Sequence, residues 1–278
     1  MELNLKVAFD EIVKNNFKLK VATTFLPKPE GCIRVATFNI HFGKNLTAVA
    51  EALKNNRNLA LCDIILIQEI EDRFDEVSSR ALGLAKLLGM EVVYMPGRRL
   101  PMNLGTHGNA ILTRLPLLET KAIKLKVYKL LQLRPRVAMA TTVLVAGKKV
   151  RIFNVHLNGS LNYEKRVLQL DEVFKQILVN GGEEPTILAG DFNTIPLLTL
   201  AGTVVPIFYK NQKKKFDLFL KNKGFDINCQ KAGHTMKRGL LRWKLDGIYP
   251  KNAKVEQFGV ERSIKVSDHF PLWADIRV

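Results

Sequence analysis

A series of short apolar runs, each closing on a polar or charged residue, restricts the folds open to this chain. RVATFN ends on Asn39, DIILIQE on Glu69, VRIFNVH on His156, and TILAGDFN on Asp191 and Asn193. RWKLDGIY carries Asp246, and VSDHFPLW carries Asp268 and His269. Carboxylates, amides and imidazoles are costly to bury unless they are paired or bound to metal. A chain that sets one wherever a strand runs out gathers them along one edge of a sheet.

Runs of this length, rich in β-branched residues, read as strands. CIRVATFN, CDIILIQE, EVVYM, GNAILTR, VAMATTVLV, VRIFNVHL, TILAGDFN, RWKLDGIYP and FPLWADIRV supply them, and Ala146-Gly147-Lys148 reads as a hairpin turn between two of them. Helices are fewer. Apolar spacing predicts one over 46–57 and one over 73–88, with Val77, Leu82, Leu84, Leu87 and Leu88 as its stripe. A third covers Tyr163–Val179 and stops at Gly181-Gly182. The expected class is α/β (α+β): two packed, mainly antiparallel sheets flanked by helices, rather than one doubly wound parallel sheet.

A chain of 278 residues can bury one large core, and one domain over 31–278 is expected. Residues 1–30 read as an appendage. Leu5, Phe9, Ile12, Val13 and Phe17 fall at helical spacing, and Pro27, Pro29 and Gly31 then punctuate the chain. The first twenty residues carry charges throughout and do not read as a secretory signal. No apolar run approaches the ~20 residues of a membrane span. Cys32, Cys62 and Cys229 lack metal spacing and read as inert thiols. The expectation is a monomeric, reduced, cytoplasmic protein without a transmembrane segment.

The strand-end residues suit one chemistry: a divalent cation held by oxygen ligands, with His and Asp available for proton transfer at a phosphate ester. Glu69 reads as the hard-metal ligand for Mg²⁺ (or Mn²⁺), Asn39 as its neutral partner, and Asp268 as a second ligand. Asp191 and Asn193 alternate on one extended run and face the same side, so Asp191 aligns or deprotonates a water that Asn193 orients. Asp246 is placed to fix the tautomer of His269. His156 is the second imidazole, facing the leaving group or a nonbridging oxygen. His41, His107 and His234 read as surface or loop histidines.

The net charge is +17, and its location matters more than its size. Lys121 to Arg151 holds nine Lys/Arg and no acid; Tyr209 to Lys244 holds eleven Lys/Arg against Asp217 and Asp226. Charge confined to two stretches builds a positive face that attracts polyanions.

FNIHFGKN, LIQEIED, GNAILTR, NVHLNGS, LAGDFNT, KLDGIYP and SDHFPLW, in this order, resemble the endonuclease/exonuclease/phosphatase (DNase I-like) superfamily, from about Cys32 to Val278. The resemblance implies a four-layer sandwich of two face-to-face sheets with helices outside. It also implies Mg²⁺- or Mn²⁺-dependent hydrolysis of phosphoesters by in-line attack of water. By matching motif, Glu69 and Asn39 resemble the metal-binding pair, and Asp191 and Asn193 the pair that activates and orients water. Asp246 resembles the carboxylate that pairs with His269, and Asp268 the auxiliary metal carboxylate. The superfamily includes apurinic endonucleases, DNase I-like nucleases, 5′-tyrosyl-DNA phosphodiesterases, sphingomyelinases and inositol-polyphosphate phosphatases. Apurinic endonucleases usually carry asparagine where this chain has His156; a histidine there resembles the DNase I, tyrosyl-DNA phosphodiesterase and sphingomyelinase-like branches.

Two substrates follow. A nucleic acid is the first: Arg98, Arg99, Arg134, Arg136, Lys213, Lys214, Lys215, Lys237, Arg238 and Arg242 are placed to contact backbone phosphates, with Phe208, Tyr209, Phe216 and Trp243 interleaved. The alternative is a phospholipid or phosphoinositide headgroup at an anionic membrane surface, for which LTLAGTVVPIFYKNQKKK sets an apolar stretch beside lysines. A non-catalytic polyanion-binding module is the distant third.

Overall fold

The computed structural model describes residues 31–76, 79–126, 135–159, 162–195, 197–200, 203–208 and 211–278. The helix expected within residues 1–30, and Arg134 and Tyr209, lie outside them.

In chain order the elements are β1 (Cys32–Phe42), α1 (Leu46–Asn55), β2 (Ile64–Arg73), α2 (Arg80–Leu88), β3 (Glu91–Arg99), β4 (Gly105–Thr113), β5 (Leu117–Lys124), β6 (Val137–Val145) and β7 (Lys148–His156). There follow α3 (Tyr163–Ile177), β8 (Thr186–Asp191), β9 (Leu197–Leu200), β10 (Thr203–Phe208), α4 (Gln212–Asn222), β11 (Met236–Arg238), β12 (Leu241–Trp243), β13 (Asp246–Lys251), β14 (Lys254–Val260) and β15 (Leu272–Arg277). Six strands form one sheet in the order β14-β15-β1-β2-β4-β3, and five form a second in the order β13-β8-β7-β6-β5. Pairing is antiparallel except for β1 with β2 and β7 with β8. The class is the expected one: mixed α/β, two sheets face to face.

Alternation along each strand explains the layers. In β1, Ile33 and Val35 enter the core between the sheets, while Ala36, Phe38 and Ile40 enter the core under α1 and α2. In β7, Val150 and Ile152 face the first sheet, while Phe153 and Val155 face α3 and α4. Each central strand is therefore apolar on both faces, and the order is helices, sheet, sheet, helices.

Near the top of the inter-sheet core the same phase turns polar. Thr37, Gln68 and Asn154 are fully buried, and Gln68 Nε2 donates to Thr37 Oγ1 at 3.0 Å and to Asn154 Oδ1 at 2.8 Å. Asn154 Nδ2 then donates to the carbonyls of Ile67 and Ala110. A side chain of one sheet is thereby bonded into the backbone of the other, which fixes how the sheets sit relative to each other.

The helices begin and end where local chemistry dictates. Asn45, Ser79 and Asn162 cap α1, α2 and α3 by accepting the N–H groups of Ala48, Leu82 and Lys165. The second helix starts at Arg80 rather than at residue 73, because β2 continues through Arg73 and Asp72 accepts the Arg80 N–H at 2.7 Å. Ala146 and Gly147 both have positive φ and turn β6 into β7, as the hairpin expectation requires.

Candidate functional site

Two parallel pairs, one in each sheet, end at the same edge of the sandwich. Asn39 lies near the end of β1 and Glu69 near that of β2; His156 ends β7 and Asp191 ends β8. Each side chain continues the inter-sheet face of its strand: Ile33-Val35-Thr37-Asn39, Val150-Ile152-Asn154-His156 and Ile187-Ala189-Asp191. Asp246 shares this face of β13 with Ile248.

Glu69 is the exception that needs a device. Continued alternation would point it toward the helices with Ile65 and Ile67. The register of β2 shifts between Gln68 and Ile70 against β4, Glu69 adopts φ +60, and Ile70 takes the helix-facing position. The bulge turns the carboxylate into the site. Gly190 serves the other half: with φ +140, a Cβ there would lie 2.0 Å from the Val155 carbonyl oxygen, so the approach of β8 to β7 that brings Asp191 beside His156 requires glycine.

Asp191 is the hub. Its Oδ1 accepts the Asn193 N–H at 2.9 Å, and its Oδ2 accepts Nδ2 of Asn39 at 3.0 Å and Nδ2 of Asn193 at 3.2 Å. Asn193 also donates to the Leu157 carbonyl, which locks its side chain. Burial raises the Asp191 pKa to about 6, with Asp246 adding to the rise and His269 opposing it.

The two buried imidazoles have opposite partners. His269 Nδ1 meets Asp246 Oδ2 at 2.9 Å, and its Nε2 lies 3.9 Å from Asp191 Oδ2. Burial lowers the His269 pKa, but Asp246 and Asp191 outweigh it and hold the ring protonated, with its pKa raised to about 10. His156 Nδ1 meets Nη1 of Arg136 at 2.9 Å, and its Nε2 lies 3.6 Å from Asp191 Oδ2 and 3.7 Å from Glu69 Oε1. Burial, reinforced by Arg136, His107, His269 and Arg98, keeps the His156 pKa well below the ordinary imidazole value.

The structure thus brings Asn39, Glu69, His156, Asp191, Asn193, Asp246 and His269 together. Asp268 stands at the margin, with its side chain 32% exposed and 3.6 Å from His41 Nδ1. His107 departs from the surface or loop expectation: it is buried in β4, on the face that points at β7, beside Glu69 and His156. Counting back by twos from Ile111 through Asn109 reaches it, which is the signal that could have found it.

The basic residues divide. Arg136 reaches His156, and half-buried Arg98 pairs across the β3–β4 register with His107. Arg99, Lys214, Lys215, Lys237, Arg238 and Arg242 are exposed. Lys213 departs from its expected role. Its ammonium donates to Asp217 and Tyr249, and Tyr249 OH donates to Asp217, because the helical i,i+4 spacing and the approach of β13 enclose the side chain. Lys213→Met is therefore expected to lower stability by up to about 3 kcal/mol, leaving Asp217 uncompensated, with nucleic-acid affinity unchanged; parallel thermal melts and binding titrations check it. Phe216 is fully buried against Phe192 and Tyr249, so it is core rather than a base-stacking surface.

The donor set fits a hard cation. Two carboxylates, Glu69 and Asp191, converge on one His156 N–H position, and Asp246 Oδ1 is buried with no hydrogen-bond partner. Uncompensated carboxylate oxygens are what a divalent ion satisfies.

The sequence profile of the Endonuclease/Exonuclease/phosphatase family matches residues 36–269. The chain belongs to that family. No curated protein matches it in sequence. Among solved structures, an endonuclease/exonuclease/phosphatase from Beutenbergia cavernae superposes with TM-score 0.69 at 19% identity, covering 90% of this chain and 72% of that one. The human nocturnin catalytic domain with bound sulfate superposes with TM-score 0.64 at 20% identity, covering 95% and 97%. A humanised TDP2 from D. rerio gives 0.59 at 16%, covering 90% and 100%. At these identities the likeness is one of fold, and members of the family are generally hydrolases of phosphoesters.

Proposed function

We propose that the protein is a Mg²⁺- or Mn²⁺-dependent phosphodiesterase that cleaves nucleic acid by in-line attack of water. The observation that carries this reading is the convergence of Glu69, His156, Asp191 and His269 at one edge of the sandwich, with Arg136 on His156 and Arg98 paired with His107. Glu69, with Asn39 beside it, would hold the cation, which when bound neutralises charge developing on the phosphoryl group. Asp191, held in place by the Asn39 and Asn193 amides that donate to its carboxylate, would accept a proton from the attacking water, which Asn193 helps to orient. His269, held protonated by Asp246, stabilises the phosphoryl oxygens. The human nocturnin domain of similar fold was solved with a sulfate, a tetrahedral anion like phosphate.

Nucleic acid is favoured by the charge around this edge. Lys237 and Arg238 leave the site directly, since the Lys237 N–H donates to the Asp268 carbonyl and Met236 bridges to His269. Binding to DNA or RNA is expected to weaken steeply with salt, and Arg238→Ala or Arg242→Ala each to reduce the slope of log K against log salt by about 1. A slope near zero in the wild type would remove nucleic acid from the reading.

One feature favours a lipid headgroup as second reading. The β11–β12 hairpin exposes Leu240 fully and Leu241 by half, 99% and 48%, between Arg238 and Arg242. That pairing of apolar tip and cationic flanks suits an anionic bilayer. Among the described residues no helix is long and apolar enough to cross a membrane. Purified protein is to be assayed with Mg²⁺, Mn²⁺ or EDTA on DNA, RNA, 5′-tyrosyl DNA, sphingomyelin and phosphoinositides, beside Asp191→Asn. Metal-dependent cleavage of a nucleic acid, lost in the variant, is the expected result; cleavage confined to a lipid would establish the second reading instead.

A further inference from the structure

An imidazole reveals its tautomer when one nitrogen faces a group that can only donate or only accept. His269 Nδ1 faces a carboxylate, so Nδ1 carries the proton. His156 Nδ1 faces the Arg136 guanidinium at 2.9 Å, a group with donors and no acceptor. Nδ1 must then be the lone pair, and the ring hydrogen sits on Nε2. Turning the ring over would set a C–H against the guanidinium and discard a buried hydrogen bond. The Nε2 atom is buried, has no hydrogen-bond partner, and lies 3.6–3.7 Å from carboxylate oxygens of Asp191 and Glu69. A buried N–H without an acceptor points to a ligand that supplies one.

We propose that Arg136 fixes His156 as an Nε2–H donor to a nonbridging phosphoryl oxygen, and that His156 is therefore neither a metal ligand nor the acid that protonates the leaving group. Arg136 is a positioning residue; His156 is the catalytic one. Although Glu69, His107 and His156 offer ligand atoms within 4.8 Å of one another, coordination by His156 Nε2 would require that atom to give up the proton that Arg136 obliges it to keep. The identity of the acceptor rests on the phosphodiesterase reading; the tautomer does not.

Long-range ¹H–¹⁵N spectra of the full-length protein, with His156 assigned by its loss in His156→Gln, decide the tautomer in the absence of any substrate. The expected pattern has Nε2 protonated and Nδ1 bare, and it persists when Mg²⁺ is added. Arg136→Lys, still only a donor, is expected to keep the pattern, and Arg136→Glu, an acceptor, to move the proton to Nδ1; a merely structural arginine would not sort the two variants this way. An Nδ1–H signal in the wild type, or loss of the Nε2 proton on adding Mg²⁺, would overturn the proposal. On whichever substrate the panel identifies, His156→Ala is expected to lose about 10²–10³-fold in kcat. His156→Gln, which returns a donor near the same place but cannot relay a proton, is expected to recover most of it. Equal loss in both would refute the donor role even with the tautomer confirmed, and an inactive wild type would sink the functional reading while the spectra still judged the tautomer.

Discussion

Asp191→Asn is expected to lower phosphodiester hydrolysis by about 10²–10⁴-fold while the protein still folds. Three amide N–H groups, from Asn39, the Asn193 backbone and the Asn193 side chain, converge on the carboxylate. The carboxylate can accept all three and still take a proton from water; an amide presents one oxygen and must turn its NH₂ against a donor. Stability moves much less. The folded pKa of about 6 lies above the ordinary 3.8. The group thus stabilises the fold fully below 3.8, and that contribution is lost as pH rises through 6. At pH 7.5 an ionised, desolvated carboxylate works against folding, and the neutral amide removes that penalty, offsetting its poorer hydrogen bonds. A metal-free thermal melt of the variant should match the wild type or exceed it. Retained full activity would show that the hydrolytic centre lies elsewhere.

Asp246→Asn is expected to show its effect in pH rather than in geometry. Asparagine can still accept from His269 Nδ1 and keep the tautomer, but it withdraws the charge that holds the ring protonated. His269 has a folded pKa raised from 6.5 to about 10. The stabilisation it carries is complete below pH 6.5 and disappears as pH rises toward 10. The variant should therefore be less stable than the wild type by about 3–5 kcal/mol near pH 6, with the gap closing above pH 9. Denaturant titrations in EDTA at several pH values check this, and an NMR titration of His269 should show its pKa falling. A gap that stays constant with pH would mean that Asp246 is only a packing residue.

Much of this was legible in the sequence because the site continues the pattern of the core. Asn39, His156 and Asp191 each fall two residues beyond a buried inward-facing residue, and Asp246 two residues before one, Ile248, so strand phase alone announces them. Glu69 was legible by position but not by direction, since alternation aims it at the helices and only the bulge corrects it. His107 was missed because it lies one residue before the strand-like run GNAILTR, whereas strand pairing extends β4 back to Gly105. Lys213 misled because a lysine cluster looks uniformly solvated; the approach of Tyr249 on β13 to helix α4 is a tertiary event. The tautomers of the two histidines likewise depend on partners 20 and 23 residues away.

The seam between β1 and β15 gives the molecule a temporal property. Arg34 grips Asp275 across 241 residues of chain, and Cys32 through Thr37 pair with Leu272 through Arg277. Few contacts in the domain are less local, and closing so long a loop is among the slow steps of folding. Until it closes, β1 has one bare edge, and Asn39 is carried by a strand anchored only through β2. A half-made or half-melted copy can hold Asp191 and His156 correctly and still lack a fixed partner for them. If the chain cleaves nucleic acid as proposed, that chemistry is withheld from partly folded copies, which are the ones least able to choose what they bind.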